Sequence, residues 1–169
     1  MKCVGFDPIC DRNARVLILG TLPGADSLRL GQYYANSRNN FWSIMGALTG
    51  ANSKIAYDER LRILAKSGVA LWDVYHSAKR AGSTDPGIQG RTAIVNNFAD
   101  FFRAYPNIRL ICFNGKAAEK EFRRKIFDIQ SVIEIMVLPS TSPSNTRLTT
   151  AQKLECWRDA LAKGIKILG

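Results

Sequence analysis

Histidine is almost missing from this chain: His76 stands alone among 169 residues. A Ser–His–Asp triad would have to recruit that one ring, which follows Asp73 and Tyr75 in a polar stretch suited to a solvated imidazole. Cysteine is sparse, with four copies at positions 3, 10, 112 and 156 and no CxxC pair. That spacing does not suit zinc or iron–sulfur ligation, and no acidic cluster has metal-ligand spacing, so no metal or cofactor is expected. A GxxxxGK[ST] phosphate loop is absent, and Gly20-Thr21-Leu22-Pro23-Gly24 is not the dinucleotide-binding GxGxxG. Phosphoryl and hydride transfer both lose ground. No apolar run is long enough to cross a bilayer, and no secretory-type segment opens the chain, so a cytoplasmic protein with reduced thiols is the expectation.

Acidic residues are also in deficit. Against 24 Lys and Arg stand 14 Asp and Glu, a net charge of +10 that favours a polyanionic partner such as nucleic acid. Apolar residues make up 46 % of the chain, ordinary for a globular protein, and the length suits one domain over residues 1–169.

Strand and helix patterns alternate. Apolar, β-branched runs at Arg15–Leu19, Val69–Val74, Ile108–Phe113 and Val132–Leu138 read as strands covered on both faces. Helices are expected at Phe41–Leu48 and Asp58–Ser67, ended by Gly50 and Gly68, and at Asn97–Ala104, stopped before Pro106. Two more are expected at Lys116–Ile126 and from Thr150 to about Lys163. The alternation predicts an α/β fold, a three-layer α/β/α sandwich around a mainly parallel four-stranded sheet.

Three long connections, 20–40, 75–96 and 139–149, leave carboxyl ends of these strands. In a parallel sheet those ends share one edge, where open α/β sheets bind ligands. The first connection is far longer than an ordinary strand-to-helix loop. It carries paired tyrosines, Tyr33 and Tyr34, and three asparagines, Asn36, Asn39 and Asn40. Amides orient water and read base edges, and tyrosine faces stack on bases.

Taken together, Gly20-Thr21-Leu22-Pro23-Gly24, Tyr34-Ala35, Asn39-Asn40-Phe41-Trp42 and Leu138-Pro139-Ser140-Thr141-Ser142-Pro143 resemble the uracil-DNA glycosylase superfamily. The strand Leu71-Trp72-Asp73-Val74 and the following Gly82-Ser83 extend the resemblance to nearly the whole chain. The pattern is closest to the hypoxanthine-DNA glycosylase branch, with mismatch-specific uracil/thymine glycosylases as nearest relatives. In those relatives an asparagine in the first turn positions the hydrolytic water; here Leu22 stands in its place. The resemblance moves that role to Asn39, while the residue pattern leaves open that Asn39 or Asn40 caps the following helix.

Tyr34 matches the aromatic on which an extruded base stacks, with a packed core tyrosine as the alternative; Tyr33 is expected to point elsewhere. Asn36 is a further candidate for the base or its water. Asp73 falls where the family reads the base edge, and its carboxylate could accept the ring N–H of hypoxanthine; the alternative is a carboxylate satisfied by backbone N–H groups. In the last loop Ser140 stands where several branches have a histidine. Ser140 and Ser142 are expected near the base, and Ser144, Asn145 and Arg147 near the DNA backbone, though the same loop could equally serve as an N-cap for the final helix. Lys79, Arg80 and Arg91 are candidates for DNA phosphates, whereas Arg123-Arg124-Lys125 reads as a solvated helix end.

The resemblance therefore implies a monomeric, monofunctional glycosylase that hydrolyses the bond to a flipped deaminated base in duplex or single-stranded DNA, hypoxanthine first. Alternatives are a uracil/thymine mismatch glycosylase, a noncatalytic nucleic-acid binder, and an unrelated small-molecule hydrolase.

Overall fold

The computed structural model describes residues 1–82, 85–126 and 133–168. Ser83 and Val132 lie outside them. The main sheet has four parallel strands in the order β3-β2-β6-β7: β2 Val16–Gly20, β3 Val69–Asp73, β6 Leu110–Asn114 and β7 Glu134–Leu138. Alternation along the pleat sorts the side chains into two cores. Leu17 and Leu19 of β2, with Ala70, Trp72, Ile111 and Phe113, face α4 (Phe98–Ala104) and α5 (Lys116–Lys125). Val16 and Ile18, with Val69, Leu71, Leu110 and Cys112, face α2 (Phe41–Thr49), α3 (Tyr57–Lys66) and α6 (Thr150–Leu161). The three-layer α/β/α sandwich follows from that division.

Two of the predicted connections hold regular structure that composition did not announce. Within 20–40 lies α1 (Ala25–Leu30), closed by Gly31 at φ 65°, whose N–H reaches the Ser27 carbonyl. Within 75–96, β4 (Tyr75–Lys79) pairs antiparallel with β1 (Lys2–Val4) and β5 (Ile94–Val95) in a second, smaller sheet. A strand followed at once by another strand escapes detection when Asp73 and Val74 read as the end of one continuous run. The backbone turns because Val74 and Tyr75 donate to the carbonyls of Gly20 and Thr21, at 2.9 and 3.0 Å, bringing two strand ends together.

The last helix begins at a full capping box: Thr149 Oγ1 accepts the Gln152 N–H, and Gln152 Oε1 accepts the Thr149 N–H. The cysteines are all free, with Cys3 and Cys112 buried. No helix among the described residues is long and apolar enough to cross a membrane.

Candidate active site

At the carboxyl edge of the main sheet opens a cavity of about 860 Å³. All three long connections reach it: residues of 20–39 from the first, Asp85 and Pro86 from the second, and Ser140–Asn145 from the third. A fourth wall, the β6–α5 turn from Asn114 to Ala117, was not anticipated. The same rule that singles out Asp73, position at the carboxyl end of a parallel strand, applies equally to Asn114.

Asp73 is 4 % exposed. Its backbone carbonyl accepts from Asn96 Nδ2 at 2.8 Å, and its Oδ1 sits so close over Gly20 that a methyl group there would lie 2.5 Å away. Glycine is required at this position for close approach, not for its backbone angles. Burial pushes the Asp73 carboxyl up to about 8, and the Asp85 carboxyl adds to the rise; Arg80 and the Tyr33 hydroxyl pull it down. Asp73 Oδ2 and Tyr33 Oη nonetheless complete no hydrogen bond of ordinary geometry. Asp73 also enters none of the ion pairs among the described residues. The carboxylate satisfied by backbone N–H groups is therefore not what the fold builds here.

Tyr34 is the only non-glycine residue at positive φ among those described, at 55°. A bulky side chain in that region stores about 1–3 kcal/mol of strain, held by surrounding structure. The holding contact is Phe41, on which the Tyr34 ring stacks at 3.8 Å and 18°. Tyr34 lines the cavity, and its hydroxyl is driven well above the usual tyrosine range by burial and by Asp73. Tyr33 does not point elsewhere: it is buried, lines the same cavity, and packs edge-on against Phe6 at 5.2 Å. Its carbonyl, accepting from Trp42 Nε1 at 3.0 Å, ties the loop to α2 and turns the ring inward.

Asn39 also lines the cavity, and its Oδ1 accepts the Phe41 N–H at 3.0 Å. The N-cap of α2 is Asn40, whose side chain makes no capping bond. Asn39, one residue earlier, both faces the cavity and accepts the first N–H of the helix, which fixes the plane of its amide. Asn40 is not part of the lining; its N–H donates to the Thr141 carbonyl at 3.0 Å. Asn36 is committed on both sides, with Nδ2 on Asp26 Oδ2 at 2.8 Å and Oδ1 under the Arg38 N–H at 3.0 Å. Leu22 is among the lining residues, but its aliphatic side chain packs in the core and offers water nothing.

Ser140, Ser142, Ser144 and Asn145 all line the cavity and are knitted to one another. Ser142 and Ser144 share a hydroxyl contact at 2.8 Å, and Asn145 Nδ2 donates to the Ser140 carbonyl at 3.0 Å. From beneath, Asn114 clamps buried Thr141 by both amide atoms, Nδ2 to Oγ1 at 2.9 Å and Oδ1 from N–H at 2.8 Å. Helix α6 holds the same loop through Lys153 Nζ on the Asn145 carbonyl and Trp157 Nε1 on the Pro139 carbonyl, at 2.8 and 3.0 Å.

One of the candidate phosphate cations is placed differently from the sequence-based expectation. Arg80 is 3 % exposed, with Nε and Nη1 unpartnered among the described residues, so it is a buried charge and not a surface phosphate contact. It follows β4 directly and is held by an isolated antiparallel bridge to Ile88 and by its N–H on the Met1 carbonyl, whereas Lys79 ends the strand exposed. Lys79, Arg91 and Arg147 are exposed but do not line the cavity. The cations that do are Arg38 and Lys116, both exposed. Arg123 and Arg124 pair with Glu119 and Glu121 along α5, as expected of a helix end.

The family model for the uracil DNA glycosylase superfamily matches residues 6–161. The chain belongs to this superfamily. A hypoxanthine DNA glycosylase of Methanosarcina acetivorans is 38 % identical over 153 residues, covering 89 % of this chain and 93 % of the relative. Another, from Methanosarcina barkeri, is 34 % identical over 169 residues, covering 96 % of this chain and all of the relative. A solution NMR structure of a candidate uracil DNA glycosylase from Methanosarcina acetivorans superposes with a TM-score of 0.75 at 35 % identity, covering 95 % of this chain and 99 % of that one. The superfamily's sandwich is the fold described above.

Proposed function

We propose that this protein is a monofunctional DNA glycosylase that extrudes a deaminated base, hypoxanthine first, and hydrolyses its N-glycosidic bond. Carrying this reading is the convergence of Asn39, Tyr34 and Asp73 on one cavity at the carboxyl edge of the sheet. Flipping a nucleotide costs a few kcal/mol and least for a mispaired base, so extrusion already favours damage. The extruded base stacks on Tyr34, whose ring is backed by Phe41; such stacking is worth about 1–3 kcal/mol. Asp73 meets the edge of the base.

As the base departs, the sugar gains oxocarbenium character. A water held by Asn39 attacks C1′ and leaves an abasic site. Asn39 Oδ1 is oriented by the Phe41 N–H and retains a second lone pair for a water proton, and the amide nitrogen supplies donors. Ser140–Asn145 close against the DNA backbone. Relatives bearing the name hypoxanthine DNA glycosylase support the choice of base.

The test is incubation with duplexes carrying inosine or uracil, followed by alkaline cleavage of abasic sites. Breaks at inosine are expected. Asn39→Ala should lose them, by about 10²-fold or more for a positioned catalytic group, and Asn36→Ala should not. DNA binding without breaks at any deaminated base would leave a noncatalytic binder. Loss in Asn36→Ala alone would move the water to that residue.

A further inference from the structure

Carboxyl groups gather at the cavity although the chain as a whole is positive. Asp73 and Asp85 both face the cavity, Asp85 from the turn Asp85–Gly87 with its carboxyl accepting Thr21 Oγ1 at 3.1 Å. Neither enters an ion pair among the described residues. The groups facing Asp73 are Asp85 from that turn, Arg80 just after β4, and Tyr33 and Tyr34 from the segment after α1. His76, the only imidazole, is exposed and lies outside the cavity.

A base leaving as an anion would meet a wall that carries Asp26 and Asp85 beside Asp73, with only Arg38 and Lys116 as lining cations. A base leaving as a neutral, protonated species would meet no such repulsion. Purines have a ring nitrogen, N7, that can take a proton as the bond to N9 breaks; uracil has no equivalent.

From this geometry we propose that Asp73, which lines the cavity, is the general acid of the reaction, donating its carboxyl proton to N7 of the departing purine. It rests on the glycosylase reading above and narrows its substrate class to deaminated purines. In the step, the C1′–N9 bond breaks with its electron pair going to the base, and the Asp73 proton passes to N7. Hypoxanthine leaves as the neutral 7H tautomer. Water forms the new C1′–O bond, its proton leaves to solvent through the cavity mouth, and Asp73 regains a proton from solvent.

Burial holds the Asp73 carboxyl at about 8, so the acid form predominates at neutral pH. The sequence suggests a carboxylate that accepts from the base. Buried as it is, the group is a donor, and its partner must be an acceptor.

Single-turnover rates on an inosine duplex, followed from weakly acidic to alkaline pH, test this. Wild type should lose rate as pH rises through about 8. Asp73→Asn keeps an amide donor of similar shape but has no transferable proton. It should lose about 10²–10⁴-fold, the usual worth of general acid catalysis, and its alkaline fall should vanish. Asp85→Asn removes the neighbouring charge and should move the alkaline fall to lower pH. A duplex carrying 7-deazainosine, which lacks the proton-accepting nitrogen, should resist cleavage.

An Asp73→Asn enzyme as fast as wild type with the same pH profile overturns the proposal, as does 7-deazainosine cleaved at the inosine rate. If Asp73→Asn does not fold, the Asp85→Asn shift decides, and an unmoved alkaline fall counts against the proposal. Wild type leaving inosine intact at every pH fails the glycosylase reading itself.

Discussion

At the scale of single residues, the site depends on close approaches as much as on functional groups. Gly20 is the clearest case. Its backbone needs no special angle, yet a Cβ would stand 2.5 Å from Asp73 Oδ1. Gly20→Ala should therefore push the carboxyl off its position, and displacement on that scale costs about 10²-fold in rate. Comparing kcat with thermal stability checks this: rate should fall far more than melting temperature. Asn39 carries a different lesson. Satisfying a helix N–H and facing the cavity look like competing uses of one amide, and in the fold they are one arrangement, because the Phe41 N–H on Oδ1 sets the amide plane. Tyr34 shows the same economy, since the Phe41 stack that supports its φ of 55° also backs the face offered to a base.

Among the elements, the notable device is the clamp under the last loop. Asn114 sits at the end of β6 and makes two bonds to Thr141, while α6 reaches up with Lys153 and Trp157. Each strand end thus supports a loop belonging to another. Asn114→Ala leaves the Thr141 N–H and hydroxyl buried without their partner, at a cost of about 1–3 kcal/mol. Urea denaturation should show that loss, accompanied by a fall in glycosylase rate because Ser140 and Ser142 lose their footing. The clamp was not legible from composition: an asparagine after Leu110-Ile-Cys-Phe113 reads simply as a strand end until its partner, 27 residues away, is known.

Over the whole molecule the net charge is +10, yet three carboxyls, Asp26, Asp73 and Asp85, line the cavity. Much of the surface charge is tied up in exposed i,i+3 and i,i+4 pairs such as Arg62–Glu59 and Arg103–Asp100, which are worth little to stability. Arg38 and Lys116 enter no such pair among the described residues and flank the cavity. Affinity for DNA should fall with salt, with a slope in log K of about −0.9 per phosphate neutralised. Arg38→Ala or Lys116→Ala should each reduce that slope by about 1. Titrations at several salt concentrations measure this, with Lys79→Ala and Arg91→Ala, away from the cavity, as the comparison.

Sequence by itself determined the architecture. Runs such as Val16-Leu17-Ile18-Leu19 are apolar at every step because both faces are covered, and their alternation with helices leaves few arrangements besides a parallel sheet with helices on either side. It also placed the loops at one edge, since parallel strands share their direction. Tertiary structure alone decided which side chains face the cavity and in which ionic form. Arg80 and Lys79 are neighbours of the same charge, yet Lys79, ending β4, is exposed while Arg80, bridged to Ile88 just beyond it, is buried. Asp73 is a carboxyl in any reading of the chain. Whether it accepts or donates is set by what surrounds it, and burial beside Asp85 is a property of the fold, not of the letter.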